Sequence, residues 1–155
     1  MIQRGWRLCR RKHAAHAFDG EGARLNGGRW NPPGLAVVYT SATLSLAALE
    51  MLVHVDADDA PEDLVAIPVD IPSDVAVRRV QIDKLPADWR SLPAPLSLQD
   101  LGSAWVRALQ TAVLSVPSAV VPQERNFVLN PAHPKFDGLV IGDPEPFSFD
   151  TRLLR

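Results

Sequence analysis

The chain has 155 residues, 46% of them hydrophobic and 22% charged, with a net charge of −2. That is enough chain for one domain, expected to span residues 1–155, to bury a core without a metal or disulfide as a staple. The sequence contains no apolar run long enough to span a membrane and no apolar stretch of a secretory signal behind its basic start, and Cys9 has no partner for a disulfide, so a reducing, cytoplasmic setting is expected.

The charge is unevenly placed. Residues 1–30 hold seven Arg and Lys against Asp19 and Glu21, and the remainder is acidic. Such a basic segment suits nucleic acid, a membrane surface or a phosphate-bearing small molecule. A local anion site fits best, because the chain as a whole is not basic.

Trp6 to Cys9 reads as a first strand and His13 to Phe18 as a helical turn. Asp19 to Asn31, with Asn-Gly-Gly at 26–28, reads as a tight loop. Its glycines match neither a P-loop nor a dinucleotide fingerprint. They read as turn residues that let the backbone approach a ligand. Leu35 to Thr40 is a short apolar strand ending on Tyr39 and Thr40. A helix is predicted from Ser41–Thr43, since Leu44, Ala47, Ala48, Met51, Leu52 and Val55 recur at helical spacing. Leu46, Leu49 and Val53 make it apolar nearly all round, with Glu50 the one acid of the run.

Asp56 to Asp63 is an acidic, solvated connection. Leu64 to Ile71 is β-branched and predicts a strand, with Pro68 marking a bulge or an edge. Val75 to Ile82 predicts another strand, and the proline-bearing 83–96 an irregular loop. Ser97 and Asp100 suggest a helix start, followed by an apolar face of Leu98, Leu101, Trp105, Val106, Leu109, Ala112 and Val113. Val116–Val121, interrupted by Pro117, Phe127–Leu129, Gly138–Ile141 and Phe147–Phe149 complete the strands. Strands outnumber helices without regular alternation. The expected class is α+β with a mixed or antiparallel sheet.

Three residues between 27 and 52 bring chemistry together: Arg29 in a turn, Tyr39 on the strand and Glu50 in the helix. Each also has a plain reading. Glu50 could lie on the solvated stripe of its helix, Arg29 could stack on Trp30 at the surface, and Tyr39 could fill the strand. A carboxylate among apolar neighbours is otherwise paired, neutralised or used. Cys9, His13 and His16 lack a second ligand pair at zinc spacing, so no metal is expected. His54 follows Glu50 by one helical turn. No Gly-x-Ser-x-Gly elbow supports a serine hydrolase. Ser118 reads as a serine on an apolar strand, a setting in which the hydroxyl usually bonds backbone.

The run AFDGEGARLNGGRWNPPGLAVVYTSATLSLAALEMLVH, with VPSAVVPQERNFVLNPAHP downstream, resembles the RES domain family. These are toxins of bacterial type II toxin–antitoxin pairs with an Xre-like antitoxin. The resemblance runs from Trp6-Arg7 to Phe149. The family's Arg, Glu and Ser fall on Arg29, with Arg7 a second candidate, on Glu50 and on Ser118. Tyr39 matches the family's site tyrosine, and Asn130 falls where a further polar group is expected near the pocket.

The resemblance implies a fold similar to the ADP-ribosyltransferase core and NAD+ as substrate. ADP-ribose then passes to water, phosphate or a protein target. It also implies catalytic roles for Glu50, Arg29 and Ser118, and NAD+ contacts from Arg7, Arg29, Tyr39 and Asn130. Residue 48 is Ala, so no second glutamate stands two before Glu50, which weakens an arginine-directed transferase. The implied partner is an Xre-like antitoxin covering the pocket. The alternatives are an inactive interaction domain, or a nucleic-acid-binding module on the basic N-terminal segment.

Overall fold

Strand β1 (Gln3–Arg10) pairs antiparallel along its whole length with β3 (Leu64–Ile71), Trp6 opposite Pro68 and Cys9 opposite Val65. The structure is a computed structural model and describes residues 2–155, apart from the side chain of Ala57. β3 is buried along most of its length because both its faces are covered. Leu64 and Ala66 meet one cluster, and Val65, Ile67 and Val69 meet another. That accounts for a run that is apolar from Leu64 to Val69 where a half-exposed strand would alternate.

The other strands are β2 (Val38–Ser41), β4 (Val77–Arg79), β5 (Val113–Pro117), β6 (Arg125–Leu129), β7 (Val140–Ile141) and β8 (Glu145–Phe147). Their order across the sheet is β4-β5-β6-β2-β1-β3-β7, with β8 also on β3. β4 runs parallel to β5 and the other pairs are antiparallel. The sheet is therefore mixed and the class α+β.

Three α-helices among the described residues decorate it: α1 (Glu21–Asn26), α2 (Leu44–Leu52) and α3 (Leu96–Ala108). α2 starts where Thr43 Oγ1 accepts from Leu46 N at 3.1 Å, a side-chain cap on an otherwise free donor. It buries Leu46, Ala47 and Ala48. Ala47 and Ala48 pack with Leu8, Leu64, Ala66 and Phe149. α3 buries Leu98, Trp105 and Val106 with Trp30 and Val37. It presses close: a Cβ at Gly102 would stand 1.6 Å from Trp30 O.

Several expected boundaries move. The predicted 19–31 loop contains α1, which Asp19 starts by accepting from Glu21 N at 2.9 Å. The helical turn is a 3-10 helix over Arg11–His16. Val75–Ile82 shrinks to the three residues of β4. α3 begins at Leu96 after Pro95, without a side-chain cap from Ser97. It stops at Ala108 because Leu109 turns left-handed (φ 54), so Ala112 and Val113 are not on its face. Pro68 lies neither at a bulge nor on an outer strand. On the side away from β1, β8 pairs with 64–66 and β7 with 69–70. Pro68 falls between them, and its carbonyl accepts from Gly142 N at 2.8 Å. The missing N–H sits where the flanking strand is broken.

Candidate active site

β1 and β2 join at a single ladder pair among the described residues, Trp6 with Ser41. Arg7, the next residue of β1, donates from Nη1 to Tyr39 O at 3.1 Å and so bridges the strands through a side chain. Its Nε is buried and has no hydrogen-bond partner. Burial pushes the Arg7 guanidinium below its ordinary pKa, with partial opposition from Cys9 and Asp19. Arginine stays charged even so. A buried charged donor left unbonded is costly, and an anion would remove that cost. A cleft of about 700 Å³ opens beside it, lined by Arg7, Cys9, His13, Gly20, Glu21 and Tyr39 among others.

Glu50 is half-buried on α2, and its Oε1 is held twice. Ser118 Oγ donates to it at 2.7 Å and Asn126 Nδ2 at 2.9 Å. Ser118 does not lie on a strand as expected. β5 ends at Pro117, and Ser118 opens the turn that follows. It is fully buried, and its Oγ also accepts from Val120 N at 3.1 Å and Val121 N at 3.0 Å. Asn126 is oriented in turn by Ser41, whose Oγ donates to Asn126 Oδ1 at 2.8 Å. The carboxylate thus rests on a network drawn from β2, β6 and the turn after β5. His54 is exposed.

Arg29 Nη1 donates to Trp89 O at 2.8 Å and Ser91 O at 3.1 Å. This ties the turn to the long loop before α3. Partial burial lowers the Arg29 pKa, while the fields of Glu50 and Tyr39 act the other way. Glu50 and Tyr39 therefore each lie within electrostatic reach of Arg29. The Tyr39 hydroxyl donates to Asn31 Oδ1 at 2.5 Å and accepts from Trp30 N at 3.1 Å. Burial pushes the phenol well above its ordinary range. Gly28 packs against this group, since a Cβ there would meet Tyr39 Oη at 2.6 Å. The glycine turn thus admits the tyrosine hydroxyl, where the sequence suggested approach to a ligand.

Asn130 is placed elsewhere. It is fully buried, donates from Nδ2 to Val106 O at 3.2 Å and accepts from Ala132 N at 3.0 Å. Its side chain locks α3 to the segment after β6 and does not line the cleft beside Arg7. The sequence reading missed Ser41, Asn126 and Asn31. Asn31 is fully buried and donates to three backbone carbonyls, of Ala23, Pro32 and Leu35. The Asn-Pro that follows the turn was the available signal for Asn31. Nothing local marks Asn126. Among the described residues no three His, Cys, Asp or Glu side chains gather as metal ligands.

The RES domain family model matches residues 4–150. The chain belongs to the RES domain family. RES relatives of almost the same length are similar throughout. One is the "Prs ADP-ribosylating toxin" of Sphingobium sp. (strain YBL2), 34% identical over 154 residues, covering 97% of this chain and 96% of that protein. Another is the "Toxin Res" of Photorhabdus laumondii, 37% identical over 151 residues, covering 97% and 96%. The fold is similar to that solved in the Mycobacterium tuberculosis MbcT–MbcA toxin–antitoxin complex, with a TM-score of 0.77 at 21% identity, over 99% of this chain and 87% of that one. No helix among the described residues is long and apolar enough to cross a membrane.

Proposed function

We propose that this RES-family chain is the toxin of a toxin–antitoxin pair and that it consumes NAD+. The carrying observation is the Glu50 carboxylate, held at Oε1 by Ser118 and Asn126 within the field of Arg29. The toxin names of its relatives support the same reading.

In this reading the bond between nicotinamide and its ribose breaks. Nicotinamide leaves with the electron pair as a neutral base, and the ribose gains oxocarbenium character. Glu50 stabilises that positive charge and orients the 2′-hydroxyl. Ser118 and Asn126 keep the carboxylate aimed before substrate arrives, so no reorganisation is needed at the moment of reaction. Arg7, with its unbonded Nε, and Arg29 hold the pyrophosphate through forked donors. Tyr39, neutral and anchored by Asn31, offers an apolar wall to the nicotinamide half. The acceptor oxygen, from water, phosphate or a protein side chain, bonds to the ribose carbon and gives up its proton where it carries one.

The antitoxin, in this proposal Xre-like, inhibits by covering the pocket. A segment with a carboxylate and one apolar side chain would match Arg7 and Tyr39. Incubating the pure chain with NAD+, with and without phosphate, and weighing the products by mass spectrometry tests the reading. Free nicotinamide with ADP-ribose or its 1″-phosphate is expected. Intact NAD+, in the absence and presence of a bacterial lysate as acceptor, rejects it.

A further inference from the structure

A second concave site lies on the other side of the sheet. Arg125 and Asn126 are consecutive on β6, so their side chains leave opposite faces. Asn126 faces Glu50. Arg125 turns away and lines a hollow of about 430 Å³ with Arg79, Lys84, Asp83 and Gln123.

The strand register builds this site. Arg79 on β4 pairs with Ser115 on β5, and Ser115 pairs with Phe127 on β6, two residues from Arg125. Arg125 is held firmly in place. Its Nε donates to Ser115 Oγ at 3.0 Å, and its Nη2 donates to Ser115 O at 2.9 Å and Val80 O at 2.6 Å. Burial lowers its pKa and the neighbouring Arg79 lowers it further.

Among the described residues none of Arg79, Lys84 and Arg125 makes an ion pair. Asp83 is the one acid in the lining. Three cations against one acid leave a surplus of two positive charges. Two guanidiniums held near each other repel unless an anion lies between them. A phosphate dianion matches the surplus, and its tetrahedral oxygens suit forked donors. The hollow is larger than a phosphate alone and leaves room for an ester substituent.

We propose that Arg79, Lys84 and Arg125 form a second anion site, on the sheet face away from Glu50, that takes a phosphate group. The group is inorganic phosphate or the phosphoryl end of a small ester. The site stands whether or not the chain consumes NAD+, because it shares no residue with the cleft beside Arg7.

The test is calorimetric titration of the full chain with inorganic phosphate and, separately, with glycerol 3-phosphate, in chloride buffer of constant ionic strength. Arg125 also holds the backbone of Val80 and Ser115, so its removal would test folding as well as binding. Arg79 and Lys84 are exposed and are the better targets. The double variant Arg79→Ala, Lys84→Ala is expected to bind roughly tenfold more weakly, while Lys135→Ala, an exposed lysine outside both hollows, binds as the parent does. The ligand that binds more tightly to the parent identifies the source. The proposal is overturned if the double variant binds like the parent, if Lys135→Ala loses as much binding as the double variant, or if no heat appears up to about 10 mM ligand.

Discussion

Ser118 Oγ donates to Glu50 Oε1 at 2.7 Å, joining residues 68 apart in the chain. The same hydroxyl accepts from Val120 N and Val121 N, so the turn after β5 and the carboxylate of α2 are organised by one atom. Backbone donors that polarise Ser118 strengthen the bond it gives to Glu50. Replacing Ser118 therefore acts on fold and site together. Ser118→Ala is expected to lower stability by about 1–3 kcal/mol, because two part-buried N–H groups lose their acceptor. It is also expected to lower kcat roughly tenfold with little change in KM. Melting temperature and steady-state NAD+ kinetics measure both. A lower melting temperature with unchanged kcat assigns Ser118 to the fold alone.

Glu50→Gln separates charge from shape. The amide oxygen of Gln can accept the bonds from Ser118 and Asn126, so the network survives. The negative charge facing the ribose is lost. Turnover of NAD+ should fall by about 10²–10³, the scale of one key electrostatic group, at a nearly unchanged melting temperature. Turnover close to that of the parent removes Glu50 from the mechanism.

Arg29→Lys tests the forked contact. Arg29 spends Nη1 on the carbonyls of Trp89 and Ser91, which aims the rest of the guanidinium. An ammonium can satisfy those carbonyls or a phosphate, without the planar geometry that serves both. The apparent KM for NAD+ should rise roughly tenfold. If it does not move, Arg29 is a tether for the loop before α3 and Arg7 carries the pyrophosphate.

Tyr39 is the one tyrosine in the chain, so its ionisation can be followed by tyrosinate absorbance without overlap from another tyrosine. Burial raises its pKa in the folded protein. As pH rises, the unfolded chain gives up this proton first, near its ordinary value of about 10. The contribution to stability is thus complete below that pH and is lost as pH climbs towards the higher folded value. Urea unfolding from neutral to alkaline pH should show the decline, with tyrosinate absorbance appearing only as the chain unfolds. Tyr39→Phe should flatten this part of the slope. Tyrosinate absorbance in the still-folded protein near its ordinary pKa contradicts the burial argument.

The pieces set by local chemistry were legible in the sequence. β3 appeared at its full length, Leu64–Ile71, because an apolar run with Val or Ile at every second position fits a buried pleated surface. α2 appeared through apolar spacing, and the structure adds the Thr43 cap at its start. Arg29, Tyr39 and Glu50 were singled out as a group because turn, strand and helix follow one another within 26 residues, Gly27 to Leu52. Where local signals were weak or in conflict, boundaries slipped. α3 ended early because Leu109 took a left-handed turn that an apolar pattern cannot announce. Pro68 read as an edge signal, although β3 lies inside the sheet.

Tertiary structure alone decided how the site is held. Asn126 reaches Glu50 across 76 residues, and Ser41 reaches Asn126 across 85. These meetings depend on the register of β6 against β2, where a slip of one residue would turn Asn126 to the other face. The same register sends Arg125 away from Glu50 and towards Arg79. It was invisible in the sequence because side-chain alternation tells which residues share a face of one strand, while the offset between strands is chosen by the packing of the whole sheet. Arg7 follows the same logic. Its type and position suggested an anion contact, but that its Nε is buried and unbonded shows only in the folded chain.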